Sequence, residues 1–201
     1  MSQPASSTEK RIRSEDILSF LPALFRAVDV EKLSPSPPAF LNQAVKNGRL
    51  ERIMRGYYLN LWKCRITGQW PSVEQIGCFL RQPSYVSCEW ALNFHNILEQ
   101  VPTVCTVVTL APSVGRRNRV ELPEVVLEYS RVKNTLFGGF EYHDGANIAL
   151  PEKALLDTLY LHLTLPVPDE LNRENIDPDK LRKMAAPFPE TVKRKLQTLG
   201  F

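Results

Sequence analysis

Ser36-Pro37-Pro38-Ala39-Phe40-Leu41-Asn42-Gln43-Ala44-Val45-Lys46-Asn47-Gly48, continuing as Arg49-Leu50-Glu51-Arg52-Ile53-Met54-Arg55-Gly56-Tyr57-Tyr58, decides how the N-terminal part of this chain is read. Prolines are accepted in the first turn of a helix because amides there have no intrahelical partner, and Ser36 ahead of them can serve as cap. The spacing predicts a helix over about 37–47. Phe40, Leu41, Ala44 and Val45 form its apolar stripe, and Asn42, Gln43 and Lys46 fall on the other side. Asn47-Gly48 closes it, since both residues tolerate a left-handed helix end. The residues beyond read as two short strands about Arg55-Gly56, a tight hairpin with a basic tip.

Charge singles out the same stretch. Between Ser36 and Arg65 stand Lys46, Arg49, Arg52, Arg55, Lys63 and Arg65 against one acid, Glu51. Six less one is a local +5, more than the whole-chain +3, so the remainder sums to −2. A basic module on a slightly acidic body is the footprint of phosphate contact, although a solvated basic face gives the same count. A helix fits the major groove and reaches base edges from its outer side. Asn42 and Gln43 are therefore candidate adenine readers, Lys46 a guanine or phosphate contact, and Ser36 and Asn47 flank them. Arg49, Arg52 and Arg55 are candidate backbone anchors, with Tyr57 packing beside the phosphates. Helix plus basic hairpin reads as a winged helix-turn-helix on double-stranded DNA.

Working outward, Met1–Arg13 is polar and has no apolar core of an export signal, so residues 1–13 read as a tail. A first helix is expected from near Ser14, with Ile17, Leu18, Leu21, Leu24 and Phe25 on one face and a kink or restart at Pro22. A short element over Val30–Leu33 precedes the proline run. The DNA-binding domain is placed at 14–65, with Cys64–Gln69 as a loop, and an α+β domain at 66–201.

In that second domain Ser72–Arg81 reads as a capped helix with Ile76, Phe79 and Leu80 inward. Ser84–Leu98 is expected to hold another, capped by Ser87, with Ala91, Leu92 and Phe94 in the core. β-branched runs predict strands over Thr103–Leu110, Val125–Tyr129 and Phe137–Tyr142, and Asp144-Gly145 a turn before Ile148-Ala149. Pro151–Leu163 is the clearest helix, striped by Ala154, Leu155, Leu159 and Leu163. Helices over about Pro178–Ala186 and Pro189–Leu199 follow. The fold class is thus α+β, an N-terminal winged helix-turn-helix followed by a mixed α+β domain.

Catalytic and metal chemistry find little footing. Cys64, Cys78, Cys88 and Cys105 have no metal-ligand spacing and read as free thiols of a reducing, cytoplasmic compartment. His95, His143 and His162 lie in no metal or nucleophile motif. Glu152, Lys153 and Asp157 invite attention, but a Glu in a first turn suits the helix dipole, and Asp157 can pair with Lys153 at i,i+4. The chain has no Glu-x-Lys or Asp-x-Lys of a restriction-type nuclease, and Gly138-Gly139 lacks the Lys-Ser/Thr of a phosphate loop. No enzyme, cofactor or metal is expected. No run of 18 apolar residues would span a membrane. Arg116, Arg117 and Arg119, read as a loop, could extend a nucleic-acid surface or meet a partner. Phe137, Phe140 and Tyr142 alternate as core and edge rather than as an RNA-stacking platform.

Three blocks carry a family resemblance. Leu41–Ile53 with Arg55-Gly56-Tyr57-Tyr58 resembles the winged-helix signature of AbiEi-type antitoxins, transcriptional regulators of type IV toxin–antitoxin and abortive-infection systems. Pro83-Ser84-Tyr85-Val86-Ser87-Cys88-Glu89-Trp90-Ala91-Leu92 with His95, and Ile148-Ala149-Leu150-Pro151-Glu152-Lys153-Ala154-Leu155-Leu156-Asp157, are similar to two later blocks of the same family. The resemblance implies a cytoplasmic repressor that binds inverted repeats in its own promoter and opposes a nucleotidyltransferase-type toxin. Asn96 stands where that family usually has Gly, which a left-handed helix end tolerates. Leu150 replaces a capping Ser or Thr, which forgoes about 1 kcal/mol. A solitary regulator, or a module binding RNA or protein without a toxin, remains the alternative.

Overall fold

The computed structural model describes residues 14–112, 118–161 and 171–201. The described residues are mixed α+β with two sheets and divide into two compact units, one up to Pro71 and one from Ser72 onward.

In the first unit α1 spans Ser14–Phe20 and buries Ile17 and Leu18. It ends at Phe20 instead of kinking through Pro22. A proline disfavours helical backbone in the residue before it and supplies no N–H, so the chain turns out of the helix. Leu24 and Phe25 therefore enter from a strand, β1 (Leu24–Arg26), not from a longer helical stripe. A 3-10 turn at Ala27–Val30 follows, slightly earlier than the expected short element, and Asp29 accepts the Arg26 N–H at 2.7 Å across it. Next come α2 (Pro37–Lys46), β2 (Glu51–Met54) and β3 (Tyr57–Leu59). The antiparallel sheet has the order β1-β3-β2, pairing Phe25 with Tyr58 and Tyr58 with Arg52.

The expected loop over Cys64–Gln69 is instead largely helix, α3 (Leu61–Thr67). Its start is set by Asn60, whose Oδ1 accepts the Lys63 N–H at 3.0 Å while Nδ2 donates to the Leu18 carbonyl at 2.9 Å. Gly68, at φ +70°, ends it. Ile17, Leu18, Leu21, Phe25, Val30, Leu41, Ala44, Leu50 and Tyr58 make one hydrophobic cluster. Val45, expected within the buried stripe, is 37 % exposed.

The second unit opens with α4 (Val73–Leu80), where Ser72 and Gln75 form a reciprocal capping box. Gly77 lets α4 lie close on the sheet: a Cβ there would sit 2.9 Å from Val107 Cγ2. Ser84–Leu98 divides into β4 (Ser84–Ser87) and α5 (Cys88–Phe94). Tyr85 and Val86 are the residues a buried strand prefers, and all four β4 residues are buried. Phe94, expected in the core, is 44 % exposed. The remaining strands are β5 (Val104–Thr109), β6 (Arg119–Glu121), β7 (Val126–Arg131), β8 (Phe140–His143) and β9 (Ala146–Ala149).

They form a six-stranded sheet of order β6-β7-β5-β4-β9-β8, with β5/β7 and β4/β9 parallel and the other neighbours antiparallel. Asp144 (φ +40°) and Gly145 (φ +89°) turn β8 into β9, the two positive φ values that a two-residue hairpin favours. Asn96 takes φ +55°, as its place at the end of α5 implied. Helices α6 (Pro151–Tyr160), α7 (Pro178–Ala185) and α8 (Glu190–Thr198) complete the unit. Every residue of α6 from Glu152 to Leu159 is buried, so this helix is the pillar of the larger core.

Candidate nucleic-acid interface

The nine residues expected to face DNA in the first unit divide by what each already does. On α2, Leu41 and Ala44 face the core, which leaves Asn42, Gln43 and Lys46 outward and exposed. Gln43 is not a free side chain: its Nε2 donates to Asn47 Oδ1 at 3.0 Å. Ser36 precedes α2 but makes no capping bond, contrary to expectation. Proline chemistry contributes to this. Pro37 and Pro38 have no N–H, so of the two amides a cap serves, at the second and third helical positions, the one at Pro38 is missing and that of Ala39 remains. The same absence makes the start of α2 a poor backbone cradle for phosphate, and any anion there has to be met by side chains.

The anchors differ too. Arg52 lies on β2 opposite Tyr58, and Arg55 occupies the hairpin tip before Gly56, whose φ of +86° suits glycine. Both are exposed, and among the described residues neither they nor Lys46 form an ion pair. Arg49 does: its guanidinium lies 3.2 Å from Glu15 Oε1, tying the turn after α2 to the first helix. Tyr57 is half-buried on β3, paired with Arg26 on one side and Met54 on the other. Arg65 and Lys63, part of the local charge excess, donate to the Gly48 and Ser19 carbonyls at 3.0 and 2.8 Å. Of six basic residues, then, Lys46, Arg52 and Arg55 are the ones whose charge is turned outward. Glu15 is the residue that the local count missed, because it lies outside Ser36–Arg65 and meets Arg49 only through the fold.

In the second unit, Arg119 stands on β6, not in a loop, and its Nε is 3.5 Å from Glu128 Oε2 on β7. Arg116, Arg117 and His162 lie outside the described residues. The expected Lys153–Asp157 pair forms, and it belongs to a larger polar cluster that helical spacing does not disclose. Lys153 pairs with Asp157, whose Oδ2 also accepts from the Tyr85 hydroxyl at 2.9 Å and the Ser87 hydroxyl at 2.8 Å. Removal from water pushes the Asp157 carboxyl up, and the Lys153 ammonium opposes that rise. Burial and the neighbouring Asp157 charge raise the Tyr85 phenol, so it stays a donor. Lys153 Nζ also lies over the rings of Tyr85 and Phe188, at 5.3 and 5.2 Å. Glu152 is equally buried: Oε1 accepts the Asp177 N–H at 3.0 Å and Oε2 lies 3.3 Å from Lys180 Nζ. These groups bind β4, α6 and α7 to one another. His95 joins them as a structural polar residue, its Nε2–H donating to the Ala149 carbonyl at 2.8 Å.

Burial raises all four thiols, and among the described residues no cluster of three or more His, Cys, Asp and Glu could hold a metal. No helix of the described residues is long and apolar enough to cross a membrane. No protein-family model matches this chain, and no curated protein matches it.

Proposed function

We propose that the chain is a sequence-specific DNA-binding transcriptional regulator whose first unit is a winged helix-turn-helix. The observation that carries the reading is the pairing of two exposed features on one hydrophobic cluster. The amide-and-lysine face of α2 and the arginines of the β2–β3 hairpin share a core containing Leu41, Ala44, Leu50 and Tyr58. The element order supports it: helix, strand, short turn, helix, then two strands, with the 3-10 turn at Ala27–Val30 standing where the first helix of the motif belongs. In this reading α2 enters the major groove, Asn42, Gln43 and Lys46 meet base edges, and Arg52 and Arg55 meet phosphate or the minor groove.

The regulator is proposed to act in the cytoplasm on inverted repeats in its own promoter, and not as an enzyme. By resemblance of the three sequence blocks, it is further proposed to be the autorepressing antitoxin of a type IV system opposing a nucleotidyltransferase-type toxin. The buried Tyr85–Ser87–Lys153–Asp157 cluster draws on two of those blocks, which supports treating them as one structural unit.

Gel shift on DNA upstream of the chain's own operon tests the first claim. Binding is expected to weaken steeply as salt rises, each phosphate contact adding about 0.9 to the log–log slope. Absent or salt-insensitive binding sinks it. Growth rescue on co-expression with the adjacent gene tests the second, and failure there with DNA binding intact leaves a solitary regulator.

A further inference from the structure

We infer that the outward face of α2 selects a half-site built on A·T pairs, with Gln43 as adenine reader and Asn47 as the residue that orients it. This rests on the DNA-binding reading above and adds what sequence is read. Ala39, Asn42, Gln43 and Lys46 follow at intervals of three, one and three, so they form one stripe, and all four are exposed. A glutamine amide recognises adenine with its oxygen and one N–H, accepting from N6 and donating to N7. Its nitrogen carries two protons. The bond from Gln43 Nε2 to Asn47 Oδ1 uses one of them, so it restrains the side chain while a second proton and the amide oxygen remain for the base.

The same edge set against guanine brings the amide oxygen onto O6, acceptor against acceptor. One turn earlier, the exposed Ala39 methyl is the size and chemistry that packs on a thymine methyl. Of the two guanine readers, arginine is absent from Pro37–Lys46 and lysine stands there once, as Lys46 in the last turn, so the A·T preference belongs to the positions met by Ala39 and Gln43.

Selection of the full-length chain on a duplex library with a randomised core is the experiment. Adenine is expected to be enriched over guanine at one position by about 5- to 150-fold, the range a single bidentate contact supplies, with A·T at the adjoining step. Gln43→Ala is expected to flatten that position, so that adenine and guanine are recovered about equally there. Asn47→Ala should keep the adenine but lower its preference severalfold. Asn47→Asp retains an acceptor oxygen, so it should hold the preference while its charge weakens binding to every duplex, an outcome that mere loss of structure would not give. Guanine enrichment, or a selected sequence unchanged by Gln43→Ala, overturns the inference. Asn47→Ala as selective as the parent overturns the orienting role. Failure to bind any duplex overturns the DNA-binding reading itself.

Discussion

Glu15 holds the Arg49 guanidinium at 3.2 Å, so the carboxylate competes with any phosphate for that charge. Glu15→Gln is expected to tighten binding to all duplexes and steepen the salt dependence by about one contact, measured by fluorescence anisotropy across a salt series. Because the pair is exposed, the substitution should change stability by less than about 1 kcal/mol. Arg52→Ala and Arg55→Ala should do the reverse, weakening binding uniformly and lowering the slope by about one each. The four cysteines belong to the same scale. All are buried with raised thiols, so little thiolate is present at neutral pH. In a colorimetric thiol assay the folded chain is expected to react slowly and to release all four only on denaturation. A fast-reacting thiol in the folded chain contradicts the burial described for it.

Elements differ in how far the residues alone disclosed them. α2, the Arg55-Gly56 hairpin, α4 and α6 are legible because each carries a start or turn signal, Pro37, Gly56, Ser72 and Pro151, and β5 and β7 because β-branched residues run through them. The errors have physical causes. Pro22 ended α1, and the apolar spacing that seemed to continue through Leu24 and Phe25 served a strand paired with β3. α3 leaves little trace in Cys64–Gln69 itself because its cap, Asn60, precedes that segment, and the cap's other partner, Leu18, is 42 residues away. Among the proposed site residues, exposure of Asn42, Gln43 and Lys46 followed from helical spacing. The Arg49–Glu15 pair did not, because long-range partners leave no periodic trace. The hairpin depends on Gly56 at φ +86°. Gly56→Val is expected to cost at least about 1–2 kcal/mol in urea denaturation, through a left-handed backbone that a β-branched residue resists, and to reduce DNA binding with it.

At the scale of the molecule, each unit has its own hydrophobic cluster and its own sheet. Substitutions in one are expected to leave the other's stability unchanged. Leu18→Ala removes a wholly buried side chain of the first unit and should cost it about 2–5 kcal/mol. Asp157→Ala leaves Lys153 buried without its carboxylate and should cost the second unit about 3–5 kcal/mol. Hydrogen exchange resolved by segment checks both, and a loss of protection spread evenly over the two units contradicts the division.

The unbroken burial of α6 also bears on how such a chain can diverge. Between Glu152 and Leu159 no side chain is left to drift, since each change meets a packed neighbour or strands a charge. Asn42, Gln43 and Lys46 lie exposed on a helix of the other unit. A lineage can therefore rewrite this outer stripe, and with it the site that is read, while its scaffold stands still, and saturation mutagenesis scored by folding should reveal one stretch almost frozen and another nearly free.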